Sequence, residues 1–182
     1  VPARWAVGGR TLNAIVSRLS QAAPLQFQHA QGLTHLAERP EKVVVLDFVA
    51  LDDLDALGVE VVGVPGDGFP SYLSRYAEPP YQSVGSLFEP DYEALNRVRP
   101  DLIVIGGRSS AKYAQLAKIA PTIDLFEDTR EPVATSLKNL HMLAEIFGKQ
   151  ERAQVLAKAL EDQVMAVRSQ TVQRGTGLVV LV

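Results

Sequence analysis

The sequence predicts an α/β protein: a parallel sheet with helices on both faces, followed by one long helix. Three observations predict it. From Lys42 onward, short apolar runs alternate with runs of helical period, which is the pattern of βαβ units. The runs VVVLDF and LIVIG lack the polar alternation of a half-exposed strand and read as buried on both faces. Near the end, residues 151–171 carry Val155, Leu156, Ala159, Leu160, Val164 and Val167 without a breaker. That stretch would span roughly 30 Å at about 1.5 Å per residue.

The elements follow in order. No acid precedes Glu38, while Arg4, Arg10 and Arg18 do. Leu12, Ile15, Val16 and Leu19 fall at helical spacing, so residues 1–24 read as an extension with a short amphipathic helix. They lack the continuous apolar core of a signal peptide; the remnant of a leader and a genuine helix are both open. LQFQHAQGLTHL alternates about a turn at Gly32 and predicts a hairpin, with His29 and His35 on one face. Residues 43–48 form the first sheet strand. Residues 50–58 form a short helix closed by Gly58. Residues 59–65 form a second strand stopped by Pro65. GDGFPSYLSRYAEPPY is a turn-rich loop with one helical turn near 72–76. QSVGSL is a short strand. EPDYEALNRVRP is a helix with Pro90 early in it and Pro100 beyond it. LIVIG is the next strand, GRSS a loop, 111–119 a helix and 122–126 a strand. Residues 135–147 form a helix with Leu137, Leu140, Met142, Leu143 and Ile146 mostly on one side. The last residues, LVVLV, read as a strand, and a strand with nothing after it leaves an unpaired edge. The expectation is a fragment, or order that ends early, with a second α/β unit starting at Val179.

Composition narrows the function classes. The 182 residues are 47% hydrophobic and 21% charged, ordinary for a globular chain. A net charge of −3 gives no electrostatic support for nucleic-acid binding. The absence of cysteine removes disulfides, thiolate catalysis and Cys-type zinc sites. No apolar run is long enough to span a membrane.

Ligands of open α/β sheets sit at the carboxyl ends of the strands. Four stretches qualify: 47–50, 66–72, 85–89 and 106–110. GGRSSAK lacks the glycine order of a phosphate loop or a dinucleotide fingerprint. No nucleophile elbow occurs. His29 and His35 read as surface histidines and His141 as structural, so no metal site is expected. No acid, base and nucleophile assemble, and no enzyme is expected. Glu89, Asp91 and Glu93 surround one helix start, where acids complement the dipole.

The words HAQGLTHLAERPEKVVVLDFVALDDLDALGV, GVP, YL, VGSLFEPDYEALNRVRPDLIVIGGRS and IAPTIDL run in one order over most of the chain. The sequence from about Leu25 onward resembles the siderophore-binding proteins of iron ABC importers, nearest the branch for ferric catecholates of the enterobactin or petrobactin type. The resemblance implies two Rossmann-like lobes joined by a long helix, with the ligand held in the cleft between them. Residues 25–149 would be the N-terminal lobe, 150–173 the linking helix and 174–182 the start of the second lobe. It implies no intrinsic cofactor and no metal ligand from the protein. A ferric tris-catecholate carries about three negative charges, and hard Fe³⁺ takes its oxygens from the siderophore, so the protein need supply no metal ligand. The resemblance places Arg108 in the cleft, where a guanidinium forks to oxygens and stacks on rings. Ser109 and Ser110 would add donors, Phe69 and Tyr72 would pack on catechol rings, and Lys112 would be a second cation. The glycines before Arg108 would clear the way for a bulky ligand. Glu93, or Glu89 if the register shifts, would dock on an ABC permease. The implied location is periplasmic or otherwise extracytoplasmic, with a lipoprotein anchor as one form. The alternatives are a cobalamin or haem carrier of the same fold and a metal chelatase-like enzyme.

Overall fold

The computed structural model describes residues 25–125, 128, 130–171 and 175. The amphipathic helix expected within 1–24 and the LVVLV strand lie outside the described residues, as does the expected strand end at Phe126.

Seven strands and five α-helices are present among the described residues. Strands β1 (Leu25–His29) and β2 (Gly32–Leu36) form an antiparallel hairpin. β3 (Val43–Leu46), β4 (Gly63–Val64), β5 (Gln82–Ser83), β6 (Leu102–Ile105) and β7 (Thr122–Asp124) form one parallel sheet in the order β5-β4-β3-β6-β7. The helices are α1 (Phe48–Leu57), α2 (Tyr92–Val98), α3 (Tyr113–Leu116), α4 (Pro132–Phe147) and α5 (Gln150–Thr171).

Every side chain of β3 and β6 is buried, as their unbroken apolar runs predict. Alternate residues serve opposite faces. Val43, Val45, Leu102, Val104 and Ile123 meet α1, α4 and the first half of α5. Val44, Leu46, Ile103 and Ile105 meet Ala94, Leu95 and Val98 of α2 and Leu116 of α3. The hairpin packs on the free edge of β7, where Ala30 N donates to Asp124 O and Thr34 Oγ1 donates to Thr122 O at 2.7 Å. That covers an edge otherwise open to pairing.

Several expected boundaries move, each for a local reason. The second strand shrinks to Gly63–Val64 because Gly58 takes a left-handed conformation and Val59 N then bonds to Leu54 O, drawing Val59 into the helix cap. Pro90 is not within α2; Asp91 is its N-cap, with Oδ1 accepting from Glu93 N and Ala94 N. The helix expected over 111–119 is a 3₁₀ turn, Gly107–Lys112, followed by the short α3. The Ser109 and Ser110 hydroxyls anchor that turn to strand ends, which competes with regular helix. α4 starts at Pro132, which needs no N–H partner there. His29 is buried and His35 exposed, on opposite faces. The two-residue turn pairs His29 with Gly32 and Gln26 with His35, so positions six apart across it do not share a face.

The buried residues of α5 lie in its first half: Ala153 and Ala157 are buried and Leu156 partly so. Val155, Met165 and Val167 are exposed. Among the described residues no helix is long and apolar enough to cross a membrane.

Leu95 is fully buried and Val155 is 63% exposed. In urea unfolding, Leu95→Ala should cost about 2–5 kcal/mol, and Val155→Ala should stay within about 0.5 kcal/mol of the parent.

Candidate functional site

The sheet order reverses direction between β3 and β6: the strands following β3 go to one side, and β6 and β7 to the other. In open α/β sheets, ligands bind outside the carboxyl ends of the strands at such a point. β3 is followed by Asp47, the N-cap of α1, whose Oδ1 accepts from Val49 N and Ala50 N at 2.9 Å each. β6 ends at Gly106. A Cβ on Gly106 would lie 3.0 Å from Leu125 O and 3.2 Å from Asp47 Oδ2, so the glycine eases the close approach of the two strand ends. Gly107 follows with φ +46°, a left-handed turn that favours glycine. The two glycines thus have a role in the chain's own packing, beside the clearance for a ligand expected from the sequence.

This turn sets the neighbours of Arg108 in opposite roles. Ser109 is fully buried. Its Oγ lies 2.8 Å from Leu46 O and 3.0 Å from Gly106 O and accepts from Gly106 N at 3.2 Å. The expected donor is instead a brace between β3 and β6. Ser110 Oγ donates to Asp124 Oδ1 at 2.8 Å, and Gln31 Nε2 donates to Asp124 Oδ2 at 2.8 Å, so that half-buried hydroxyl is also engaged by the chain. Arg108 is exposed, and its guanidinium carbon lies 5.7 Å from the centre of the Phe88 ring.

The other expected residues divide likewise. Tyr72 stands on the 3₁₀ turn Ser71–Ala77 and is 67% exposed. Phe69 is half-buried and tilts against Phe48, with ring centres 5.2 Å apart, against the core. Lys112 Nζ reaches both carboxylate oxygens of Glu89 at 3.0 and 2.9 Å, pairing a residue expected on the ligand with one expected on the permease. Glu93 is exposed in the first turn of α2.

Sequence reasoning passed over Asp47, Asp124 and Phe88. Asp47 had a signal: an Asx residue between a strand and a helical run is an N-cap pattern. Phe88 lay within a stretch already marked as a strand end. Asp124 had none, because only tertiary packing buries it.

Electrostatics at the crevice are mixed. Burial pushes the Asp47 carboxyl above its usual range, opposed by the two backbone N–H groups and by Arg108, while Asp124 adds to the rise. His29 is held neutral: burial lowers its pKa, and Asp124 opposes this. Its Nδ1 accepts from Gln31 N and Asp124 N at 3.3 Å each. Thr34 donates its hydroxyl to Thr122 O, so at 2.8 Å it accepts from His29 Nε2–H. Both ring nitrogens are engaged, Nε2 within the hairpin and Nδ1 on both the hairpin turn and the β7 backbone, and the ring is not a free base. No group of three His, Cys, Asp or Glu suited to a metal ion occurs among the described residues. The arrangement can present a cation and aromatic surface.

Residues 43–182 match the periplasmic binding protein family. The petrobactin-binding protein YclQ of Bacillus subtilis is 40% identical over 121 residues, covering 65% of this chain and 38% of its own length. The ferric-anguibactin-binding protein FatB of Vibrio anguillarum is 30% identical over 156 residues, 83% of this chain and 48% of its own. The chain thus spans half or less of these relatives. The crystal structure of YclQ superposes with a TM-score of 0.81 at 32% identity, covering 85% of this chain and 56% of that one. The catecholate-siderophore binding protein VctP of Vibrio cholerae gives 0.78 at 34% identity, with 84% and 55% coverage.

The His29 contacts carry a pH dependence with a definite sign. Its folded-state pKa lies below the ordinary 6.5, so as pH falls the unfolded chain binds the proton first. Stability should decline from about pH 6.5 downward until folded His29 itself protonates. His29→Gln should flatten that part of the profile, read as urea midpoints at about pH 7.5, 6 and 5. Asp47, with its raised pKa, contributes a slope of opposite sign, and the comparison with His29→Gln isolates the histidine part.

Proposed function

We propose, from the premise that the chain belongs to the periplasmic binding protein family, that it is the N-terminal lobe and linking helix of an extracytoplasmic protein that captures a ferric siderophore for an ABC importer. Residues 25–149 are the lobe, 150–173 the linking helix and 174–182 the entry to a second lobe.

The observation that carries this reading is Arg108. A turn of glycines braced by the buried Ser109 hydroxyl presents its guanidinium at the switch point, beside exposed Phe88. Such a cation matches the charged oxygens and aromatic rims of a ferric catecholate. Hard Fe³⁺ is already saturated by siderophore oxygens, so no protein metal ligand is required. The names of similar proteins point to the same cargo class, including petrobactin, anguibactin and ferric citrate. Tyr72, 67% exposed, supplies further aromatic surface. Lys112 contributes its charge once the ligand competes with Glu89. Phe69 shapes the wall through its packing on Phe48, and Ser109 holds the turn. The protein binds and releases without chemistry. Glu93 meets the permease, with Glu89 as the second acid of that surface. Pairing of exposed charges there serves orientation and on-rate more than affinity.

Titration of the full-length protein with a ferric catecholate should quench its intrinsic fluorescence saturably, and Arg108→Ala should weaken binding about tenfold or more. Tight binding indifferent to that substitution would return Arg108 to the solvent. In reconstituted transport, Glu93→Ala should lower uptake while leaving the siderophore Kd within about twofold; an equal loss of binding would move Glu93 out of the docking role.

A further inference from the structure

The geometry points to Phe88 as the residue that aims Arg108 and sets the preference for aromatic, anionic ferric complexes; this rests on the siderophore reading above. Phe88 is a large apolar side chain left 59% exposed, yet its backbone is firmly held. Ser86 Oγ accepts from Phe88 N at 3.2 Å and from Glu89 N at 3.0 Å, and Ser86 N donates to Glu89 O at 2.9 Å. Gly85, at φ +99°, lies where a Cβ would collide with Glu89 O and Asp91 N. The turn that carries Phe88 therefore has one shape.

Two ties join this turn to the turn that carries Arg108. One is the guanidinium over the Phe88 ring at 5.7 Å, within cation–π range. The other is the Lys112–Glu89 ion pair. An exposed arginine has many rotamers, and ordering them opposes binding. Packing beside Phe88 restricts them before the ligand arrives. Among the described residues Arg108 makes no hydrogen bond or ion pair, so the contact with Phe88 leaves its five N–H donors for ligand oxygens. The exposed part of the same ring offers a surface for a catechol edge. Leucine would supply apolar bulk without the ring's negative face; tyrosine would keep that face.

Two measurements test this. In the free full-length protein, the ring current of Phe88 should shift the Arg108 δ-protons upfield in NMR spectra. Phe88→Tyr should preserve the shift and Phe88→Leu abolish it. In binding, Phe88→Leu should weaken a ferric tris-catecholate about fivefold and a neutral ferric trihydroxamate by less than about twofold, while Phe88→Tyr stays near the parent. Equal loss for both ligands, or none in the leucine variant, would overturn the role in specificity. Absence of the ring-current shift would overturn the aiming role. A parent protein that shows the shift but binds no ferric siderophore would remove the functional reading and leave Phe88 as the residue that orders Arg108.

Discussion

The close approach of the ends of β3 and β6 is the contact on which the candidate site depends. Asp47 must turn into α1 with one oxygen on the helix N–H groups, while its other oxygen lies against Gly106. Leu125 O crowds the same point from the next strand. A side chain there would make tight contacts with both. The Ser109 hydroxyl then ties Leu46 O to the Gly106 backbone. Arg108 inherits its place from these buried contacts, so a solvent-exposed side chain starts from a rigid base.

The sheet supplies that rigidity from both faces. Burial of β3 and β6 on each side means that their ends cannot drift without opening one of two apolar cores. Interiors packed at crystal-like density transmit such constraints rather than absorb them. The hairpin completes the arrangement at the β7 edge, where neutral His29 accepts two backbone N–H groups and donates to Thr34. A polar network that is fully satisfied fixes one geometry. Its cost is sensitivity to protonation, since an imidazolium cannot accept at Nδ1.

The charges at the crevice are arranged unevenly. Asp124 is buried and answered by Ser110 and Gln31. Lys112 and Glu89 answer each other at the surface, where screening keeps such a pair weak and exchangeable.

Much of the fold was legible in the residues. The unbroken apolar runs of β3 and β6, the glycine stop at Gly58 and the helical period of α4 and α5 are local patterns, and local sterics and burial decide them. The order of elements and the parallel sheet follow from the same alternation. Three-dimensional packing decided the rest. Ser109 reads as a surface donor beside Arg108 until the β3 carbonyl of Leu46, 63 residues away in sequence, captures it. His29 reads as exposed until the turn register turns it inward. Phe88 carries meaning only through the ring's distance from a guanidinium twenty residues later. Composition and period determine which residues go inside. Which hydroxyl, ring or charge meets which partner depends on strand ends brought together from distant parts of the chain, and that only the tertiary structure decides.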